Sequence, residues 1–137
     1  MTGLVVCVAV LAAASAFGVL HRRRSGRVRV RGRDDGRRIG ADRLGAELGE
    51  RATLVQFSSA FCAPCRATRR ILGEVAAVVP GVAHIEIDAE AHLDLVRELD
   101  ILKTPTVLVL DADGRIVRRA AGQPRKADVV AALGEAV

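Results

Sequence analysis

Along residues 41–137 the hydrophobic spacing switches repeatedly between the period of a strand and the period of a helix, and this alternation constrains the fold more than any other feature. Residues 53–57 form a β-rich apolar run, and residues 106–110 a continuous apolar run of the kind found in buried strands. In residues 82–88, Ile85 and Ile87 share one face while His84, Glu86 and Asp88 share the other, which predicts a third strand. Between these runs, Ile71, Leu72, Val75, Val78 and Val79 fall at helical spacing in residues 65–79, and Pro80-Gly81 closes that helix. Residues 41–50, with Leu44 and Leu48 four apart and Asp42 as N-cap, predict a short first helix. Residues 92–99 and 126–137 predict two more. Asp111-Ala112-Asp113-Gly114 reads as a hairpin turn returning through a strand over 115–121. Strands alternating with helices imply an α/β fold with a central mixed sheet flanked by helices, the last hairpin adding an antiparallel edge.

The N-terminal part is different. Residues 3–20 carry no charge. As a helix they span about 27 Å, close to the roughly 30 Å hydrocarbon core of a bilayer. His21, Arg22, Arg23 and Arg24 follow at once. Positive charge beside a span stays cytoplasmic as a rule, so the expectation is an uncleaved single-pass anchor, residues 1–20, with the remainder in the cytoplasm at the cell membrane. The alternatives are an extracytoplasmic domain and a cleaved signal peptide, the latter suggested by Ala14-Ser15-Ala16 but lacking a basic n-region. Residues 21–40 read as a basic juxtamembrane linker before a domain over 41–137. Membrane lipids are thus expected partners of residues 3–38, through the apolar run and through Arg side chains facing anionic headgroups. Val28 and Val30, alternating with Arg27, Arg29 and Arg31, fit either a short edge strand or extended linker.

Charge sharpens this division. Residues 21–38 hold nine Arg and two Asp, whereas residues 39–137 hold twelve Lys or Arg and fourteen Asp or Glu. The basic character belongs to one segment, and the folded part is mildly acidic, which argues against nucleic-acid binding.

Of three cysteines, Cys7 lies in the apolar run, and Cys62 and Cys65 bracket Ala63-Pro64 at the passage from strand to helix. A helix N-terminus offers unpaired N–H groups and a positive dipole end. Both favour a thiolate at Cys62, and the thiolate is the nucleophile. A spacing of three lets Cys65 resolve a mixed disulfide. An inert buried pair, half of a zinc site and a structural disulfide remain alternatives. Against zinc, His84 and His92 are eight apart and do not complete a usual ligand set; no metal and no cofactor is expected.

Phe57-Ser58-Ser59-Ala60-Phe61-Cys62-Ala63-Pro64-Cys65-Arg66 resembles the active-site segment of the thioredoxin family, and Lys103-Thr104-Pro105-Thr106 resembles its cis-proline segment. Asp111 to Gly114, then Gly122, resemble its final hairpin. The resemblance covers residues 41–137 and implies a thioredoxin-like fold acting as a protein-disulfide oxidoreductase. It implies Cys62 as attacking thiolate, Cys65 as resolving thiol, Ala63 and Pro64 as the active-site loop, and a substrate groove formed by Thr104, cis Pro105 and Phe61. Its partners would be disulfide-containing client proteins and a thioredoxin-reductase-type electron donor. The chain departs from the family pattern at four places: Ala63 replaces the Gly between the cysteines, Ser58 and Phe61 replace two Trp, and Gln56 replaces a buried acid. Glutamine is no general base, so a redox-inactive adaptor or binding module at the membrane is the alternative function.

Overall fold

A computed structural model describes residues 1–24, the backbone of 28–29, residue 34 and residues 36–137. The order is α1 (Thr2–Arg24), β1 (Val28–Arg29), α2 (Ala41–Leu44), β2 (Ala52–Ser58), α3 (Ala63–Val78), β3 (Val82–Asp88), α4 (Leu93–Glu98), β4 (Thr106–Asp111), β5 (Ile116–Ala121) and α5 (Lys126–Ala136). The strands form one sheet in the order β1-β5-β4-β2-β3. Among the described residues only β2 and β3 pair in parallel; β2–β4, β4–β5 and β1–β5 are antiparallel.

The sheet is covered on both faces. Because side chains alternate along a strand, β2 sends Val55 and Phe57 to one side and Ala52 and Leu54 to the other. Val55 and Phe57 join Ile85, Ile87, Leu108 and Leu110 against Leu44, Leu95 and Leu99. Ala52 and Leu54 join Val107 and Val109 against Leu72 and Val75 of α3 and Val129, Ala132 and Leu133 of α5. Every residue of β2 is buried, which explains its largely apolar character, interrupted by the buried polar side chains of Thr53, Gln56 and Ser58. Fully burying a Leu or Phe of this core contributes about 1.5–3 kcal/mol.

Three local expectations are corrected. The first helix ends at Leu44 rather than residue 50, because Gly45 takes the left-handed conformation (φ 69°) and donates its N–H to Ala41 O. Leu48 still packs on the core from the following loop. The N-cap position of α2 is Gly40, with Asp42 in the first turn. Helix α3 begins at Ala63, with Cys62 as its N-cap. The hairpin turn is as expected: the Asp111 carboxylate accepts from the N–H groups of Asp113 and Arg115. Gly114 (φ 81°) lies so close to Ile39 O that a Cβ would sit 2.4 Å from it.

Packed structure also begins before residue 41. Val28 and Arg29 pair with Ala120 and Arg119, and Arg38 pairs with Arg115. Ile39 is buried in the core. Asp34, 3% exposed, receives Nε and Nη2 of Arg119, 6% exposed, at 2.7 Å each. Of the span expected as linker, Val28, Arg29 and Asp34 are therefore joined to β5, by backbone pairing and by a bidentate ion pair that composition does not reveal. Val30 and Arg27 and Arg31 lie outside the described residues. Helix α1 is long and apolar enough to cross a membrane by length and composition, and none of it is buried by the domain.

Candidate functional site

Strand β2 delivers the chain to the site. After Ser58, residues Ser59-Ala60-Phe61 turn it back toward α3. Phe61 takes a positive φ of 57° and projects a fully exposed ring. Cys62 is extended (φ −99°, ψ 100°) and caps α3, its Sγ accepting the Cys65 N–H at 3.2 Å. Pro64 occupies the first turn, where its missing N–H costs no helical hydrogen bond. Cys62 and Cys65 are joined as a disulfide with Cα atoms 5.2 Å apart. Their surroundings differ: Cys62 is partly exposed, whereas Cys65 is 1% exposed.

The segment before β4 closes the other side. The Thr104–Pro105 peptide is cis. Thr104 Oγ1 donates toward Cys62 Sγ at 4.0 Å and is hydrogen-bonded to Ser59 Oγ at 2.6 Å. The fold thus brings Cys62, Cys65, Thr104 and Pro105 together, with Phe61 and Ala63 exposed beside them. The arrangement favours negative charge at Cys62, which has a helix N-terminus behind it and hydroxyl and amide donors around it.

Behind the cysteines lies a buried polar chain. The Gln56 amide donates to Cys65 O at 2.8 Å and to Ser58 Oγ at 2.9 Å, and His84 Nε2 lies 3.1 Å from Gln56 Oε1. A carbonyl only accepts, so the amide nitrogen must face Cys65 and Oε1 must face His84. The proton therefore sits on Nε2 of His84. Burial pushes this imidazole below its ordinary value; the Glu86 carboxylate opposes that shift and the Arg69 guanidinium adds to it. The Arg69 hydrogen bond pulls the Glu86 carboxyl below its usual range, against the effect of burial. Periodicity placed His84 on a polar strand face; the structure makes it half-buried and bonded to Gln56, with Arg69 of α3 paired to Glu86 on that face. No group of three or more His, Cys, Asp or Glu is gathered for a metal among the described residues.

The thioredoxin family model matches residues 44–135. The chain belongs to the thioredoxin family. It is 32% identical to a thioredoxin of Mycolicibacterium smegmatis over 87 residues, covering 61% of this chain and 77% of that one. A thioredoxin of Chlamydia muridarum is 27% identical over 67% of this chain and 89% of its own. Among solved structures, chloroplastic thioredoxin z superposes with a TM-score of 0.60 at 25% identity, covering 71% of this chain and 89% of that one. Oxidised mitochondrial thioredoxin 3 of Saccharomyces cerevisiae gives 0.55 at 17% identity, covering 63% of this chain and 79% of its own, a likeness of fold alone. The thioredoxin fold and a C-x-x-C pair at disulfide distance give this chain a site suited to redox chemistry.

Proposed function

We propose that the protein is a membrane-anchored thiol–disulfide oxidoreductase that reduces or exchanges protein disulfides. The observation that carries this reading is the asymmetry of the pair: Cys62 is accessible at the N-terminus of α3, and Cys65 is buried behind it. In the reduced pair, the Cys62 thiolate attacks one sulfur of a client disulfide. A Cys62–client disulfide forms and one client thiolate leaves, taking up a proton. The Cys65 thiolate then attacks Cys62 Sγ, closes the Cys62–Cys65 disulfide and expels the second client thiolate. Two electrons pass from the pair to the client, and a reductase-type dithiol donor returns them.

Thr104 and cis Pro105 form the wall against which an extended client segment lies, with the Thr104 backbone pairing with it and Phe61 offering apolar contact. The anchor is α1. The basic block His21 to Arg24 retains the domain on the cytoplasmic side, where the glutathione and thioredoxin systems keep thiols reduced. Insulin reduction driven by dithiothreitol tests the chemistry. Wild type should accelerate it and Cys62→Ser should not; equal rates for the two would remove the enzyme reading. A thiol label applied from either side of the membrane tests topology, and labelling of Cys62 from outside alone would reverse it.

A second reading, a redox-inactive adaptor, is favoured by Gln56, whose amide cannot accept the proton of the resolving thiol. Absence of any activity in the same assay would select it.

A further inference from the structure

The register of β1 fixes which end of the domain the N-terminal helix feeds. Val28 pairs with Ala120, and ten residues later Arg38 pairs with Arg115. The described residues are therefore ordered antiparallel to β5, with Val28 at its Ala121 end and Arg38 beyond its Ile116 end. Across the sheet, Ala121 pairs with Thr106 and Thr106 pairs with Phe57. Thr106 follows cis Pro105, and Phe57 leads through Ser58 to Cys62. The chain thus enters the sheet at the end that carries the cysteine pair, not at the hairpin end.

Distances make this a constraint. From β1 to β2 there are three strand spacings, about 14 Å in all. From Arg24, the last residue of α1, to Val28 there are four peptide steps, which reach at most about 14 Å. The far end of the six-residue β5 lies roughly 20 Å further from the point of entry. The buried Asp34–Arg119 pair ties Asp34 to β5 and Ile39 is buried in the core, so the reach cannot grow by detaching these residues without losing both. The surface at the entry end suits a bilayer interface. Phe61 and Leu102 are exposed apolar side chains, Arg66 and Lys103 are exposed cations at the same end, and Asp88 and Glu90 are exposed acids on its β3 side.

We propose that the active-site end of the domain is turned toward the membrane, and that its substrates are disulfides held at the membrane surface in the juxtamembrane segments of other membrane proteins. This rests on the anchor and oxidoreductase reading above. The exchange balances as before: the client disulfide becomes two client thiols, and the Cys62–Cys65 dithiol becomes a disulfide.

The test uses the full chain, pre-reduced, in liposomes of neutral and anionic phospholipid, in a single turnover. A second single-span protein in the same liposomes carries a disulfide loop either about 10 Å or about 50 Å from its helix end, set by a semi-rigid helical spacer. The near reporter should be reduced about tenfold faster than the far one, because a short tether denies the far loop simultaneous engagement. Inserting about twenty Gly/Ser residues after Arg24 should bring that ratio toward one. Equal rates for the two reporters in wild type, or a preference that survives the insertion, overturns the proposal while leaving the oxidoreductase intact. Reduction of insulin by the same preparation reports that activity separately. A chain that fails to float with the liposomes overturns the anchor and this proposal together.

Discussion

The side-chain amide of Gln56 donates to the main-chain carbonyl of Cys65 at 2.8 Å, while its oxygen accepts a hydrogen bond from the His84 Nε2–H at 3.1 Å. The residue that replaces the family's buried acid is therefore a fully bonded strut between β3 and the first turn of α3. It holds the Cys65 main chain without offering the Cys65 thiol a base.

Gln56→Asp should place a carboxylate where the thiol proton must go. Once that carboxyl is ionised, release of the mixed disulfide should accelerate, because a carboxylate accepts a proton and an amide does not. The shorter acid also gives up the amide hydrogen bond to Cys65 O, at a stability cost of about 1–3 kcal/mol. Single-turnover release of a fluorescent client thiol, together with urea denaturation, checks both effects.

His84 makes stability depend on pH. Its folded-state value lies below the unfolded one, so the unfolded chain binds the proton more readily. The stability from keeping it neutral is complete above the unfolded value of about 6.5 and declines as pH falls below it. Glu86, held low by Arg69, adds a loss in the same direction only at more acidic pH, below its unfolded value near 4.5. Denaturation midpoints should fall between pH 7 and pH 5, and His84→Gln should flatten that part of the profile.

Ser59 and Thr104 should tune the nucleophile. Thr104→Val removes the hydroxyl facing Cys62 Sγ, and Ser59→Ala removes the hydroxyl that orients it. Both should raise the Cys62 thiol pKa and slow its alkylation at neutral pH by a few-fold, Thr104→Val more than Ser59→Ala. Iodoacetamide reaction rates across pH measure the shift.

Asp34 should be among the costliest single losses outside the core. Asp34→Ala leaves the Arg119 guanidinium buried without its carboxylate, a cost of about 3–5 kcal/mol. Replacing the pair together, with Asp34→Leu and Arg119→Met, should recover most of it. Chemical unfolding of wild type and these two variants provides the comparison.

The parts of the fold legible in the sequence are those governed by local period. Strands β2 and β4 read as apolar runs because each is covered on both faces, and α3 reads as a helix because Leu72 and Val75 recur on its buried side. The cysteine pair and cis Pro105 were legible as short motifs. What escaped is long-range. Asp34 and Arg119 are 85 residues apart, and nothing in the arginine-rich stretch marks one acid as buried. Strand β1 is two residues long and held by backbone bonds to β5, which leave no side-chain signature. His84 looked like a surface residue because alternation reports a shared face, not whether a helix covers it.

The central claim is the division of labour between Cys62 and Cys65. Its most direct measurement is mass spectrometry of single-cysteine variants, made in a Cys7→Ser background because Cys7 is free and exposed, and incubated with a disulfide-bonded peptide. Cys65→Ser should accumulate a stable adduct of one peptide chain on Cys62, and Cys62→Ser should form almost none, because its remaining sulfur is buried. Adducts of equal yield on both variants, or on Cys65 alone, would contradict the assignment.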